Sequence, residues 1–246
     1  MRKNWTREET IIAFNVYCKI PFKNSSARHP LVIEMAKIIG RSPAALNMKI
    51  GNLGRLDPTL KAKGITGLKN GAKLEEDVWA EFTNNWDALA FESERLIEKF
   101  KRDLKRESNE LLKTGKETKR LVKVRVNQSF FRQMILSGYS SKCCITGISH
   151  EKLLIASHII PWSENKKERL NPTNGLCLNA LHDKAFDSGL ISVNPNYKIL
   201  ISNRLKGQTE HVKYFKNFAG KKINLPDKFL PSKQFLEYHN DVIFLG

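Results

Sequence analysis

The sequence predicts an α+β protein of two domains: a helical, helix-turn-helix-like domain over residues 1–91 and a mixed domain of short strands and helices over 121–246, joined by a charged linker helix over 92–120. Three observations lead there. Apolar residues recur at helical spacing through the first segment. Residues 92–120 alternate acidic with basic side chains and carry only sparse apolar positions. Beyond residue 121 the apolar runs become short and continuous, and turn-forming residues bound them.

Charge narrows the function classes. The 246 residues hold 42 Lys+Arg against 25 Asp+Glu, a formal net charge of +17. Such an excess favours polyanions, and release of counterions from a phosphate backbone is the usual source of the affinity. A membrane surface is the rival polyanion, but no apolar run approaches the length that spans a bilayer. Met1-Arg-Lys-Asn-Trp-Thr6 opens straight into an amphipathic segment with no signal-peptide core. The expectation is a cytoplasmic protein with no membrane partner. Four cysteines, Cys18, Cys143, Cys144 and Cys177, are too few for a disulfide framework and are expected to be reduced.

In the first domain, Ile11, Ile12, Phe14, Val16 and Tyr17 follow Thr6-Arg-Glu-Glu9, which reads as a capping box with Thr6 at the N-cap and Glu9 at N3. A second helix runs from Pro30 to Ile39 and is stopped by Gly40. Ser42-Pro43 caps a third, which continues to about Leu53. The last two read as a helix-turn-helix, with Ala36 small at the crossing and Leu46 and Ile50 inward. Ala44, Ala45, Asn47, Lys49 and Asn52 then face outward, for the major groove or for plain packing. Farther on, Val78, Trp79, Phe82, Trp86 and Leu89 form a core stripe that closes the domain near residue 91. The linker from Glu92 reads as a solvated helix fraying around Gly115.

In the second domain, Phe130 to Leu136 suggest a helix ended by Gly138-Tyr139. Leu153 to Ile160 is a strand interrupted only by Ser157-His158 and ended by Pro161-Trp162. A lone histidine in such a strand is ordinarily a satisfied core residue, but this one has company. Asn174 stands sixteen residues on, in the turn cluster Asn171-Pro-Thr-Asn-Gly175, before a second strand, Leu176-Cys-Leu178. Eight residues beyond Asn174, His182 opens a short helix over 181–189. Leu190–Val193 and Tyr197–Ile201 flank Asn194-Pro-Asn196 as a β-hairpin.

Strand, loop, strand and helix thus carry His, Asn and His in order. This resembles the HNH, or His-Me finger, ββα-metal endonucleases. The phrasing Cys144-Ile-Thr-Gly147, Ala156-Ser-His-Ile-Ile-Pro-Trp162, Asn171-Pro-Thr-Asn-Gly-Leu176, His182 and Phe186-Asp-Ser-Gly-Leu190 is similar to the HNH domain of restriction-type endonucleases. The resemblance implies phosphodiester hydrolysis on double-stranded DNA with a divalent ion, Mg²⁺ or Mn²⁺. It assigns His158 as general base, Asn174 as the residue that orients it and His182 as a metal ligand.

A second ligand is open. Many relatives place an acid or histidine just before the base, where this chain has Ser157; Asp187 and Asp183 are possible substitutes, although neither sits at i+4 from His182. Asp187 could equally anchor the helix end. The cysteines lack paired Cys-x-x-Cys spacing, which argues against structural zinc and for small buried hydrophobes. Arg169, Lys184 and Arg204 are candidate phosphate contacts. His29, His150, His211 and His239 read as structural or exposed, with His239 placed to touch DNA near the C terminus.

The resulting expectation is a restriction or defence nuclease, cutting both strands as a homodimer or by sequential nicks. The alternatives are a nuclease dependent on methylated or hydroxymethylated cytosine and a non-catalytic DNA-binding regulator on an HNH scaffold. The intact His158, Asn174 and His182 argue against the last.

Overall fold

The computed structural model describes residues 4–65, 72–107, 119–205 and 213–246. The expected fraying at Gly115 and the position of His211 lie outside these residues. The protein is helix-rich, its helices including α4 (Pro58–Ala62) and α7 (Lys119–Gly138), with two small two-stranded sheets. It divides into two compact units, Met1–Met134 and Ile135–Gly246. No described helix is long and apolar enough to cross a membrane.

The first unit is built around α1 (Arg7–Lys19), whose capping box forms as its sequence dictates: Thr6 Oγ1 accepts from the Glu9 backbone at 3.2 Å and Glu9 Oε2 accepts from Thr6 N at 2.9 Å. This helix is buried nearly all round, so its polar side chains need internal partners. Asn15 donates to Ser93 Oγ at 2.7 Å, the Tyr17 hydroxyl donates to Asp57 at 2.7 Å, and Glu9 is ion-paired with Arg41 at 2.7 Å. The stripe from α5 (Lys73–Thr83) and α6 (Trp86–Glu107) closes over Phe14, with Trp79 stacked at 4.8 Å and Trp86 edge-on at 5.9 Å.

Two sequence expectations change here. The helix read as solvated from Glu92 is instead buried along one face, through Ser93, Leu96 and Ile97. The α2 (Pro30–Ile38) and α3 (Pro43–Gly54) pair forms around Gly40 at φ +64, with Ser42 capping α3. Yet Lys49 does not face outward. It is 5% exposed and its ammonium donates to Glu75 at 2.6 Å. Asn52 donates to the same carboxylate at 3.1 Å, and Asn47 accepts from Ser25 at 2.6 Å. The wheel position of Lys49 looks outward only until α5 packs across α3 and brings a buried acid to it.

In the second unit, β1 (Leu154–His158) pairs antiparallel with β2 (Gly175–Asn179), Leu154 opposite Asn179 and His158 opposite Gly175. Asn179 then caps α8 (Ala180–Asp187) by accepting from Leu181 N and His182 N at 3.1 and 3.0 Å. A hairpin of β3 (Ile191–Val193) and β4 (Ile199–Ile201) follows, as the sequence predicts. The core gathers Leu176, Leu178, Phe186, Ile191, Val193 and Ile199. Cys143, Cys144 and Cys177 are buried beside it as thiols outside any disulfide, and burial pushes the Cys144 thiol well up, as suits an inert packing residue. The chain ends with α9 (Lys233–Tyr238), a wide turn over His239–Ile243 and a short tail whose Leu245 N donates to Gly189 O at 2.9 Å.

The Lys49–Glu75 pair gives a first prediction. Glu75→Ala strands a buried ammonium and should cost about 3–5 kcal/mol, whereas the double change Lys49→Met/Glu75→Leu should recover most of it. Urea unfolding followed by Trp fluorescence reads the difference; equal midpoints for wild type and Glu75→Ala would refute it.

Candidate active site

The strand β1 delivers Ser157 and His158 side by side, and β2 and α8 follow directly behind. Between β1 and β2 lies a loop that Asn174 ties together. Its Oδ1 accepts from Ile160 N at 2.8 Å, and its Nδ2 donates to Ile160 O and Glu168 O, each at 3.2 Å. The Asn174 backbone carbonyl accepts from Ile159 N at 3.0 Å. Asn174 is 1% exposed, so these bonds cannot exchange with water.

That clamp acts on the histidine at one remove. The residue after Glu168 is Arg169, whose backbone oxygen meets His158 Nε2 at 2.9 Å. A carbonyl can only accept, so Nε2 carries the hydrogen and the basic lone pair of the neutral ring is on Nδ1. Desolvation lowers the His158 pKa, and the Arg169 charge adds to it against the opposing pull of that hydrogen bond. Trp162 stands edge-on to the imidazole at 5.4 Å. Arg169 in turn donates through Nε to Trp162 O at 2.7 Å and lies over the indole at 4.9 Å. Arg169 is therefore part of the wall that holds the histidine, while Lys184 and Arg204 are exposed.

A cleft of about 420 Å³ opens at this point, lined by Ser157, His158, Trp162, Asp183, Asp187 and His239, with apolar residues between them. Asp183 and Asp187 are at i and i+4 on α8, so they share one face a turn apart. Desolvation raises both carboxyls above the ordinary range, and the Asp183 charge raises Asp187 further. Neither is in an ion pair among the described residues.

His182, expected to hold the metal, is placed elsewhere. It does not line the cleft among the described residues. It is 3% exposed, packed against Phe215 at 5.4 Å and Phe218 at 5.7 Å, with Nδ1 at 3.0 Å from Asn179 Oδ1. Desolvation lowers its pKa; the Tyr214 backbone lies near enough to oppose that in part, yet Nε2 makes no hydrogen bond of acceptable geometry. Residues 182 and 183 are neighbours on a helix and point about 100° apart, so only one of them can face the cleft squarely. Asp183 and Asp187, each a candidate from the sequence, are off the i+4 position from His182 but stand at i+4 to one another.

Residues 143–194 match the family model of the HNH endonucleases. This segment is an HNH endonuclease domain. It takes in β1, β2, α8 and β3 and so contains His158, Asn174, Asp183 and Asp187. No curated protein matches the chain.

HNH nucleases use divalent metal ions. No group of three or more His, Cys, Asp or Glu side chains converges on a metal position among the described residues. The cleft does present two carboxylates and the Ser157 hydroxyl, which is buried without a hydrogen bond of acceptable geometry although close enough to Asp183 to oppose its upward shift. A small set of hard oxygens fits Mg²⁺ or Mn²⁺, ions that keep several waters and take one or two carboxylates from the protein.

The buried imidazoles make stability depend on pH. Burial takes His239 from its ordinary 6.5 down to about 4, and His158 and His182 are lowered for the same reason. A depressed histidine contributes stability above its unfolded value, lost as pH falls from 6.5 through the folded value; raised Asp183 and Asp187 act in the opposite sense at the acid end. The melting temperature of the HNH domain should therefore decline between pH 6.5 and about 4, a window set by His239. A flat profile by differential scanning calorimetry would contradict this.

Proposed function

We propose that the protein is a metal-dependent DNA endonuclease in which His158 is the general base and Asp183 and Asp187, with Ser157, hold the ion. The observation that carries this reading is the His158 Nε2–H bond to the Arg169 carbonyl, which puts the basic lone pair of the neutral ring on Nδ1, with His158 lining a cleft that two carboxylates share. The lowered pKa keeps the ring unprotonated at neutral pH, as a base requires. Nδ1 takes one proton from water as the new O–P bond forms and the P–O3′ bond breaks. Asp183, Asp187 and Ser157 would hold a divalent ion, which would supply positive charge against that building on the phosphate, and the departing O3′ takes its proton from solvent. Asn174 holds the loop, and through it the ring, without touching the reacting atoms.

The net charge of +17 supports a nucleic-acid substrate. A restriction or defence role has its support in the resemblance of the motif phrasing alone. With one HNH domain per chain, a double-strand break requires two copies or two successive nicks.

Supercoiled plasmid, incubated with Mg²⁺ or Mn²⁺, should pass first to nicked circles. His158→Ala should lower the rate by about 10²-fold or more while a gel-shift assay shows unchanged DNA binding. Retained cutting overturns the base assignment, and no cutting of either cytosine-modified or unmodified DNA by wild type favours the regulator reading. The ligand assignment is separable: Asp187→Asn should weaken Mn²⁺ binding about tenfold or more, whereas His182→Asn should lower the melting temperature and leave Mn²⁺ affinity within about threefold. The reverse pattern would restore His182 as the ligand.

A further inference from the structure

Asp187 is the last residue of an eight-residue helix, where frayed ends and orphan carbonyls are the rule. It also stands a turn from Asp183, whose charge repels it. Ser188 N, Gly189 N and Leu190 N close this turn on Lys184 O, Phe186 O and Ala185 O at 3.1, 2.9 and 2.9 Å, and further contacts to it come from beyond residue 194.

The rest comes from the C terminus. The His239 ring is stacked on Phe186, centroids 3.7 Å apart and planes within 17°. Its Nε2 meets the Phe186 carbonyl at 3.2 Å and therefore carries the hydrogen. Its Nδ1 is 2.8 Å from the hydroxyl of Ser192, which is wholly buried on β3. At the same turn Gly189 adopts φ +67, and a Cβ there would clash with the Ile243 carbonyl oxygen. Leu245 N closes the strap on Gly189 O at 2.9 Å. His239 and Ile243 both line the cleft. His239 itself is 1% exposed with both ring nitrogens engaged, which removes it from DNA contact.

We infer that His239 is a positioning residue of the nuclease site: by capping the Phe186 carbonyl and stacking on the Phe186 ring, it holds the final turn of α8 and sets where Asp187 presents its carboxylate. The inference rests on the reading of Asp187 as a metal ligand. The C-terminal strap is then a working part of the cleft, and holding the two like-charged carboxylates together before the ion arrives raises affinity for it.

Mn²⁺ binding to the full chain without DNA, followed by electron paramagnetic resonance, tests this independently of turnover. His239→Phe keeps the stack and loses the polar links; it should fold, as judged by circular dichroism, and raise the Mn²⁺ Kd about tenfold. His239→Gln, which returns an N–H donor near the Nε2 position, should bring the Kd to within about threefold of wild type. A folded His239→Phe with the wild-type Kd overturns the inference, as does failure of the glutamine to improve on it. Should His239→Phe not fold, Ser192→Ala removes the hydroxyl that orients the ring, and an increase in Kd of about threefold is expected; no increase is contrary. Asp187→Asn separates the two levels. If it weakens Mn²⁺ binding while the His239 variants do not, only the positioning role fails; if it has no effect, the ligand reading fails and the inference with it.

Discussion

The placement of the His158 ring depends on the side-chain amide of Asn174. It joins the two limbs of the loop between β1 and β2 by bonding Ile160 on one side and Glu168 on the other. Asn174 and Ile160 are buried and Glu168 is half-buried, so the amide replaces water for backbone groups that would otherwise go unsatisfied. The next carbonyl along, that of Arg169, is thereby presented to His158 and decides which imidazole nitrogen carries the proton. Asn174, expected to orient the base, bears on the ring through the loop it ties together.

The second constraint is electrostatic. A chain with a large cationic excess places two carboxylates on one exposed helical face without an ion pair among the described residues. Desolvation and mutual repulsion raise both, so the pair is costly when nothing neutralises it. In the first unit the opposite holds. Arg41 and Lys49 each meet a buried glutamate, and their charges cancel inside the fold. The excess that attracts a phosphate backbone therefore comes from other basic residues.

Local pattern carried far in the reading of this chain. The Thr6–Glu9 capping box, the Gly40 turn with its Ser42 cap, the two strands around His158 and Leu176–Leu178, and the later hairpin all form from neighbours in sequence, and each stands where its residues place it. Caps and turns are local hydrogen-bond chemistry, so they survive whatever packs around them. Lys49 fails the same treatment because its environment is made by α5, 26 residues away at Glu75. Helical periodicity says which side of a helix is apolar and is silent about which polar side another element will cover.

By itself, then, the sequence determined the strand–strand–helix order of the HNH domain, the place of His158 on the first strand and that of Asn174 at the loop, because these follow from short-range spacing. Only the tertiary structure decided the face that α8 turns to the cleft. There the rotation of the helix, set by Phe186 and Ala185 in the core, sends His182 against Phe215 and Phe218 and brings Asp183 and Asp187 beside His158. His182 and Asp183 are adjacent in the chain, and 100° of helical rotation between them is fixed by what the helix packs against.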